Sequence, residues 1–82
     1  MFIHLGGDTL VRTDEIIALI NLESTQGIQS IQDLLGKLAA KGCVEKLDNQ
    51  NHKSAAILAN KVIISPISTV TLRKRAEFVD NL

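Results

Sequence analysis

Apolar and polar positions alternate in short runs along most of this chain, and helical spacing enters only twice. Residues 1–5 (MFIHL) read as a short strand. Gly6-Gly7-Asp8 then makes a turn, since glycine reaches positive φ at little cost. Residues 9–12 (TLVR) read as a second strand, so the start of the chain predicts a hairpin. Thr13-Asp14 is a break. Residues 16–21 (IIALIN) form an apolar run expected to be a strand buried on both faces. Ser24, Thr25 and Gln26-Gly27 then lead into a helix. Ile28, Ile31, Leu34, Leu35 and Leu38 recur at its spacing. Gly36 lies inside that helix and costs about 1 kcal/mol relative to alanine. Close packing against another element is the expected compensation. Lys41-Gly42 is a helix stop, with a cation at the negative dipole end and a glycine for a left-handed cap.

The strand period then returns. Residues 44–47 read as a fourth strand, and residues 48–52 (DNQNH) as a polar turn. Residues 54–59 and 62–65 are a fifth and a sixth strand around a tight Asn60-Lys61 turn. Pro66 ends the sixth because proline has no ladder donor. Ser68 can cap a final helix from Thr69 to about Phe78. Val70, Leu72, Ala76 and Val79 would supply its apolar side, and residues 80–82 are expected to fray. The order predicts a single α+β domain over residues 1–82. Its sheet is small and mostly antiparallel, with about six short strands, one central helix and a short C-terminal helix.

Composition sharpens this picture. A chain of 82 residues buries only a limited core. Its hydrophobic content is 45%, yet Phe2 and Phe78 are the only aromatics, so the core is aliphatic. That much aliphatic surface on so small a domain predicts burial between copies, that is, a homo-oligomer. Cys43 is the single cysteine, which excludes an internal disulfide and fits a reducing compartment. The chain opens without a basic stretch followed by a long apolar run. No apolar run approaches the roughly 18 residues of a membrane helix. The expectation is a soluble cytoplasmic protein with no membrane partner.

Candidate chemistry is sparse. His4 and His52 are the only histidines, too few and too far apart for a zinc site. No base partners Cys43 in any motif, so it reads as a small buried apolar residue. Gly6-Gly7 precedes a strand and opens no phosphate loop. Asp14-Glu15 reads as a solvated pair. No enzyme activity, metal or cofactor is expected. The sharpest charge feature is Arg73-Lys74-Arg75, which fans over roughly 200° of a helix. It reads either as a solvated face that complements the helix dipole or as a phosphate contact with Thr69 and Thr71 beside it. Arg12, Lys37, Lys41, Lys46 and Lys53 are further cations that could line a basic band. The formal net charge is zero, with nine basic and nine acidic side chains, whereas nucleic-acid binders are usually basic. A basic face offset by an acidic one is still compatible with that sum.

Two stretches carry a resemblance: HLGGDTLVRTDEIIALINLES near the start and KSAAILANKVIISPISTVTLRKRA towards the end. Their order, length and turn positions resemble the RemA/RemB family of bacterial extracellular matrix (biofilm) regulatory proteins, and the RemB type more closely. The resemblance implies a non-enzymatic regulator of matrix gene expression. It also implies a homo-oligomer, with a ring as the RemA-type arrangement, and contact with double-stranded DNA. In the RemA type an arginine stands just before the third strand and an arginine pair in the turn before the fifth; these look like its DNA contacts. Here the same places hold Glu15 and Asn51-His52, followed by Lys53. A carboxylate in place of a phosphate-facing cation reverses the local field. The DNA-contact set expected here is therefore Arg12, His52, Lys53, Arg73, Lys74 and Arg75. The alternative is an assembly module of the same pathway that binds a RemA-type paralogue and no DNA.

Overall fold

The computed structural model describes residues 2–24 and 28–80, with the side chains of the last helix as far as Ala76. The chain opens with an antiparallel hairpin of β1 (Phe2–Gly6) and β2 (Thr9–Arg12), in which Ile3 faces Val11 and His4 faces Leu10. Alternation sends Ile3, Leu5 and Val11 inward and leaves Phe2, His4 and Leu10 outside. Gly6 is required twice over. Its φ of +134° is strained for other residues, and an added Cβ would lie 3.3 Å from the Pro66 ring. A single 3₁₀ turn, Thr13–Glu15, then delivers the chain to β3 (Ile16–Asn21).

Next come α1 (Gln29–Ala40), β4 (Val44–Lys46), β5 (Ser54–Leu58), β6 (Val62–Ser65) and α2 (Thr69–Asp80). Six strands and two helices make the expected α+β fold. The hairpin stays a separate two-stranded sheet, and the other strands form a four-stranded sheet in the order β3-β5-β6-β4. Its pairs are antiparallel except β4 with β6, which is parallel. The polar turn after β4 carries the chain past β6, so β5 pairs with β6 and β3 while β4 becomes an edge.

The pleat divides this sheet into two faces. Ser54, Ala56 and Leu58 of β5 share one face with Ile63 and Ser65 of β6. The hairpin and α2 cover that face. Ile3, Leu5, Val11, Ala56, Leu58, Ile63 and Leu72 form one buried cluster there, with Leu19 and Ala76 packed against it. Each fully buried Leu or Ile stabilises by roughly 1.5–3 kcal/mol. The opposite face presents Ala55, Val62 and Ile64, against which Leu22, Leu35, Leu38 and Val44 are only partly buried. The helix α1 lies on this side, and none of its residues is buried.

A serine pair joins the hairpin to the sheet. Ser54 and Ser65 are register partners, both fully buried. Ser65 Oγ donates to the Leu5 carbonyl and accepts from the Ile67 backbone N–H at 3.0 Å. Ser54 Oγ donates to the Ile67 carbonyl at 2.7 Å. The N–H and carbonyl of Ile67, on the irregular backbone after Pro66, are thus both met by buried serines. Both helix caps follow expectation. Ser68 Oγ accepts from the Thr71 N–H at 3.3 Å. Gly42 takes φ +75° after Lys41 and donates to Ala39 at 3.0 Å.

Four expectations need correction. β3 is not buried on both faces: it is an edge strand with no buried residue, and Ile17, at a bulge, is 68% exposed. Its apolar run reflects an unfilled edge, not a central position. Gly36 permits no close packing, since a Cβ there meets no atom within 4 Å. Val70 points to solvent, and it is Thr69, Leu72 and Ala76 that face inward. Cys43 is half-buried, with its thiol turned towards the Lys41 carbonyl at 3.8 Å. Thr25 and Gln26-Gly27 before α1, the Val79 side chain and the tail residues Asn81 and Leu82 lie outside the described residues.

Candidate nucleic-acid interface

The expected contact residues fall on three parts of the molecule. Arg73, Lys74 and Arg75 lie on α2, where Leu72 and Ala76 turn inward and the cations turn outward. Arg75 reaches back across the interface. Its Nη1 donates to the His4 carbonyl at 2.7 Å and so braces α2 against β1. A guanidinium has five N–H donors, so this bond leaves others available. Arg73 and Lys74 are exposed.

Arg12 ends β2 and donates to Asp14 Oδ2 at 2.9 Å, with both side chains more than half exposed. Such a surface pair stabilises the fold by about 1 kcal/mol at most. Its electrical effect matters more. Asp14 offsets the Arg12 charge, and Asp14 and Glu15 together line a surface with Ile17, Ala59 and Asn60.

Lys53 stands at the other end of the sheet. Ile16 pairs with Leu58, whereas Asn21 pairs with Ser54. The end that follows Arg12 is therefore separated from Lys53 by five residue steps along the β5 chain, about 17 Å at the usual rise per residue. Lys53 has a fixed backbone: its N–H donates to Ser65 O at 2.9 Å, and its carbonyl accepts from Leu22 at 3.0 Å. Its side chain is exposed. His52 beside it is half-buried, and its Nε2 donates to the Asp48 carbonyl at 2.7 Å. Asp48 organises this turn. One carboxylate oxygen accepts from the backbone N–H groups of Asn51 at 2.8 Å and Gln50 at 2.7 Å. Those two bonds, Asn51 first, hold its carboxyl below the ordinary value.

One subunit thus brings Arg73, Lys74 and Arg75 together on α2 and leaves Arg12 and Lys53 at opposite ends of the sheet. His52 opens towards the α1 face, away from α2. Charge runs in a sequence do not reveal this division, because it depends on the strand register. Two structural roles also escaped sequence reasoning. The Arg75 brace spans distant parts of the chain and has no local signal. The serine pair had one: counting outward from the β5–β6 turn sets Ser54 opposite Ser65.

Among the described residues, no group of three or more His, Cys, Asp or Glu side chains is placed to hold a metal. No described helix is long and apolar enough to cross a membrane. The fold and its charges define a small α+β protein with a cationic C-terminal helix. Residues 2–76 match the RemA-like family, described as extracellular matrix regulatory protein A-like. The chain is also similar to extracellular matrix regulatory protein B of Bacillus subtilis (strain 168). The two are 32% identical over 79 residues, 96% of this chain and 94% of that protein. The chain belongs to the RemA-like family, on its RemB-like side.

Proposed function

We propose that this protein is a non-catalytic regulator of extracellular matrix gene expression that works as a homo-oligomer and holds duplex DNA by its phosphates. The observation that carries the assembly is the uncovered apolar side of the sheet. The helix α1 has no buried residue, Ile28 is 46% and Leu34 47% exposed, and Ile17 on the edge of β3 is 68% exposed. A second copy would cover such surface and gain the hydrophobic stabilisation that one short chain lacks. Repetition of the subunit would then gather modest phosphate contacts into useful avidity.

Arg73 and Lys74 are the residues best placed to meet phosphate, with Arg75 contributing its remaining N–H groups and Lys53 a second point. Arg12 is tied to Asp14 and His52 to Asp48, so both would act as minor contacts. Backbone contact without base reading suits a surface on which the described residues form no recognition helix pair. The second reading is a protein-binding assembly module that joins a RemA-type paralogue and binds no DNA. The zero net charge and Glu15 favour it.

Light-scattering mass across a sizing column, run with and without a duplex at low salt, separates the two. A large species that co-elutes with DNA, and loses it steeply as salt rises, supports DNA binding. A large species that ignores DNA supports the assembly module. A monomer in both runs removes both. Arg73→Glu with Lys74→Glu should abolish the DNA shift and leave the mass unchanged. Arg75 is spared in that variant because its loss would also release α2 from β1.

A further inference from the structure

Two exposed apolar patches of the subunit carry opposite charge. The first lies at the start of β3. Asp14, Glu15 and Ile17 line a groove of about 440 Å³ with Leu58, Ala59 and Asn60. Ile17 stands at the bulge and is 68% exposed. Arg12 offsets Asp14. Glu15 is exposed, and its side chain meets no partner among the described residues. The groove therefore sets a bare isoleucine beside an uncompensated carboxylate.

The second patch runs along one flank of α1. Leu34, Lys37 and Lys41 stand at i, i+3 and i+7, so they project from the same side of the helix and its cap. Leu34 is 47% exposed. Both lysines are exposed, and neither side chain has a partner among the described residues. Asp33 is the one acid of α1, and it accepts from Gln29 Nε2 at 2.8 Å, towards the N-terminal turn. Lys41 lies about two turns beyond it. This flank sets a bare leucine beside uncompensated cations.

Large apolar side chains left in water mark contact surfaces, and the charge around them decides which surfaces meet. Like patches repel, since Lys37 and Lys41 would face their own copies, and so would Glu15. Unlike patches attract, and each brings an apolar residue for the other to cover. We infer that copies join head to tail, with Leu34, Lys37 and Lys41 of one copy seated on the Ile17 and Glu15 groove of the next. This rests on the homo-oligomer reading above and names the contact that builds it. A contact between unlike patches leaves one of each kind free on a joined pair. Growth therefore passes the dimer and stops only where the assembly closes on itself.

Charge exchange in the full chain, read as light-scattering mass on a sizing column, tests the contact. The unaltered protein should run larger than a dimer. Glu15→Lys should weaken the contact at least about tenfold and lower the mass, because it replaces attraction with repulsion. Lys37→Glu with Lys41→Glu should do the same from the other side. An equimolar mixture of the two variants should recover the mass, since each then offers the other patches of opposite sign. A single chain with all three substitutions should recover it unaided. Recovery also shows that neither variant lost mass by unfolding. A monomeric unaltered protein removes the homo-oligomer reading and this contact together. A dimer that grows no further, or a larger oligomer whose mass neither variant changes, overturns this contact and leaves the homo-oligomer standing. So does a loss of mass that neither the mixture nor the combined chain recovers.

Discussion

The two faces of the central sheet are built from the same aliphatic residues and end in opposite states. On one side the hairpin and α2 bury Ile3, Leu5, Val11 and Leu72 against Ala56, Leu58 and Ile63. On the other, α1 leaves every one of its residues at least partly exposed and a cleft beside β4. The contrast shows that apolar periodicity alone does not close a core. The first face has two elements to cover it and the serine pair to lock them in place. The second has one helix, joined to β4 by a short turn and interrupted by Gly36. A closed face supplies stability, and the open one leaves apolar side chains in contact with solvent.

Truncations on the two faces should break this comparison if it is wrong. Leu72→Ala should cost about 2–5 kcal/mol in denaturant unfolding, as for other buried leucines. Leu34→Ala should change stability by only about 0.5 kcal/mol in dilute protein. A matching loss at Leu34, growing with protein concentration, would mean that a second copy already buries that face. Next in size is Ser65→Ala. It strands the Leu5 carbonyl and the Ile67 N–H inside the closed face, and should cost roughly 2–3 kcal/mol. An unchanged unfolding midpoint would remove the serine joint from the account.

Gly36→Ala sharpens the comparison from the open side. It should stabilise the fold by about 1 kcal/mol, because the new methyl meets open space. A loss of stability would show that this space is occupied. The smallest effect concerns Asp48, whose carboxyl is held below its ordinary value by the Asn51 and Gln50 N–H groups. Its contribution is therefore present above the unfolded carboxyl's pKa of about 3.9 and lost as pH falls through the lower folded value. Asp48→Asn should lower stability slightly at neutral pH and flatten its fall in that acid range, so that the two proteins converge at the acid end. A melting profile against pH that does not distinguish the two proteins would contradict the assigned role.

The elements themselves were legible because each rests on neighbouring residues. The hairpin, the capping role of Ser68, the stop at Lys41-Gly42 and the paired strands around Asn60-Lys61 all follow from local chemistry. The candidate site was legible only as a set of cations. Its members were visible one by one, but their grouping was not. Arg12 and Lys53 each lie at a strand end in the sequence, and nothing in it says that these strand ends lie at opposite ends of the sheet.

The chain's own order thus determined the α+β class, the element boundaries within a residue or two, and membership of the RemA-like family. These depend on period, turn residues and capping, which act over a few positions. The tertiary structure alone decided that IIALIN is an edge, that Gly36 faces open space, and that Arg75 braces β1 while Arg73 and Lys74 face outward. Those outcomes depend on which surfaces meet across long stretches of chain. Aliphatic residues attract without direction, so the register and the number of covering elements, not the apolar run itself, settle which are buried.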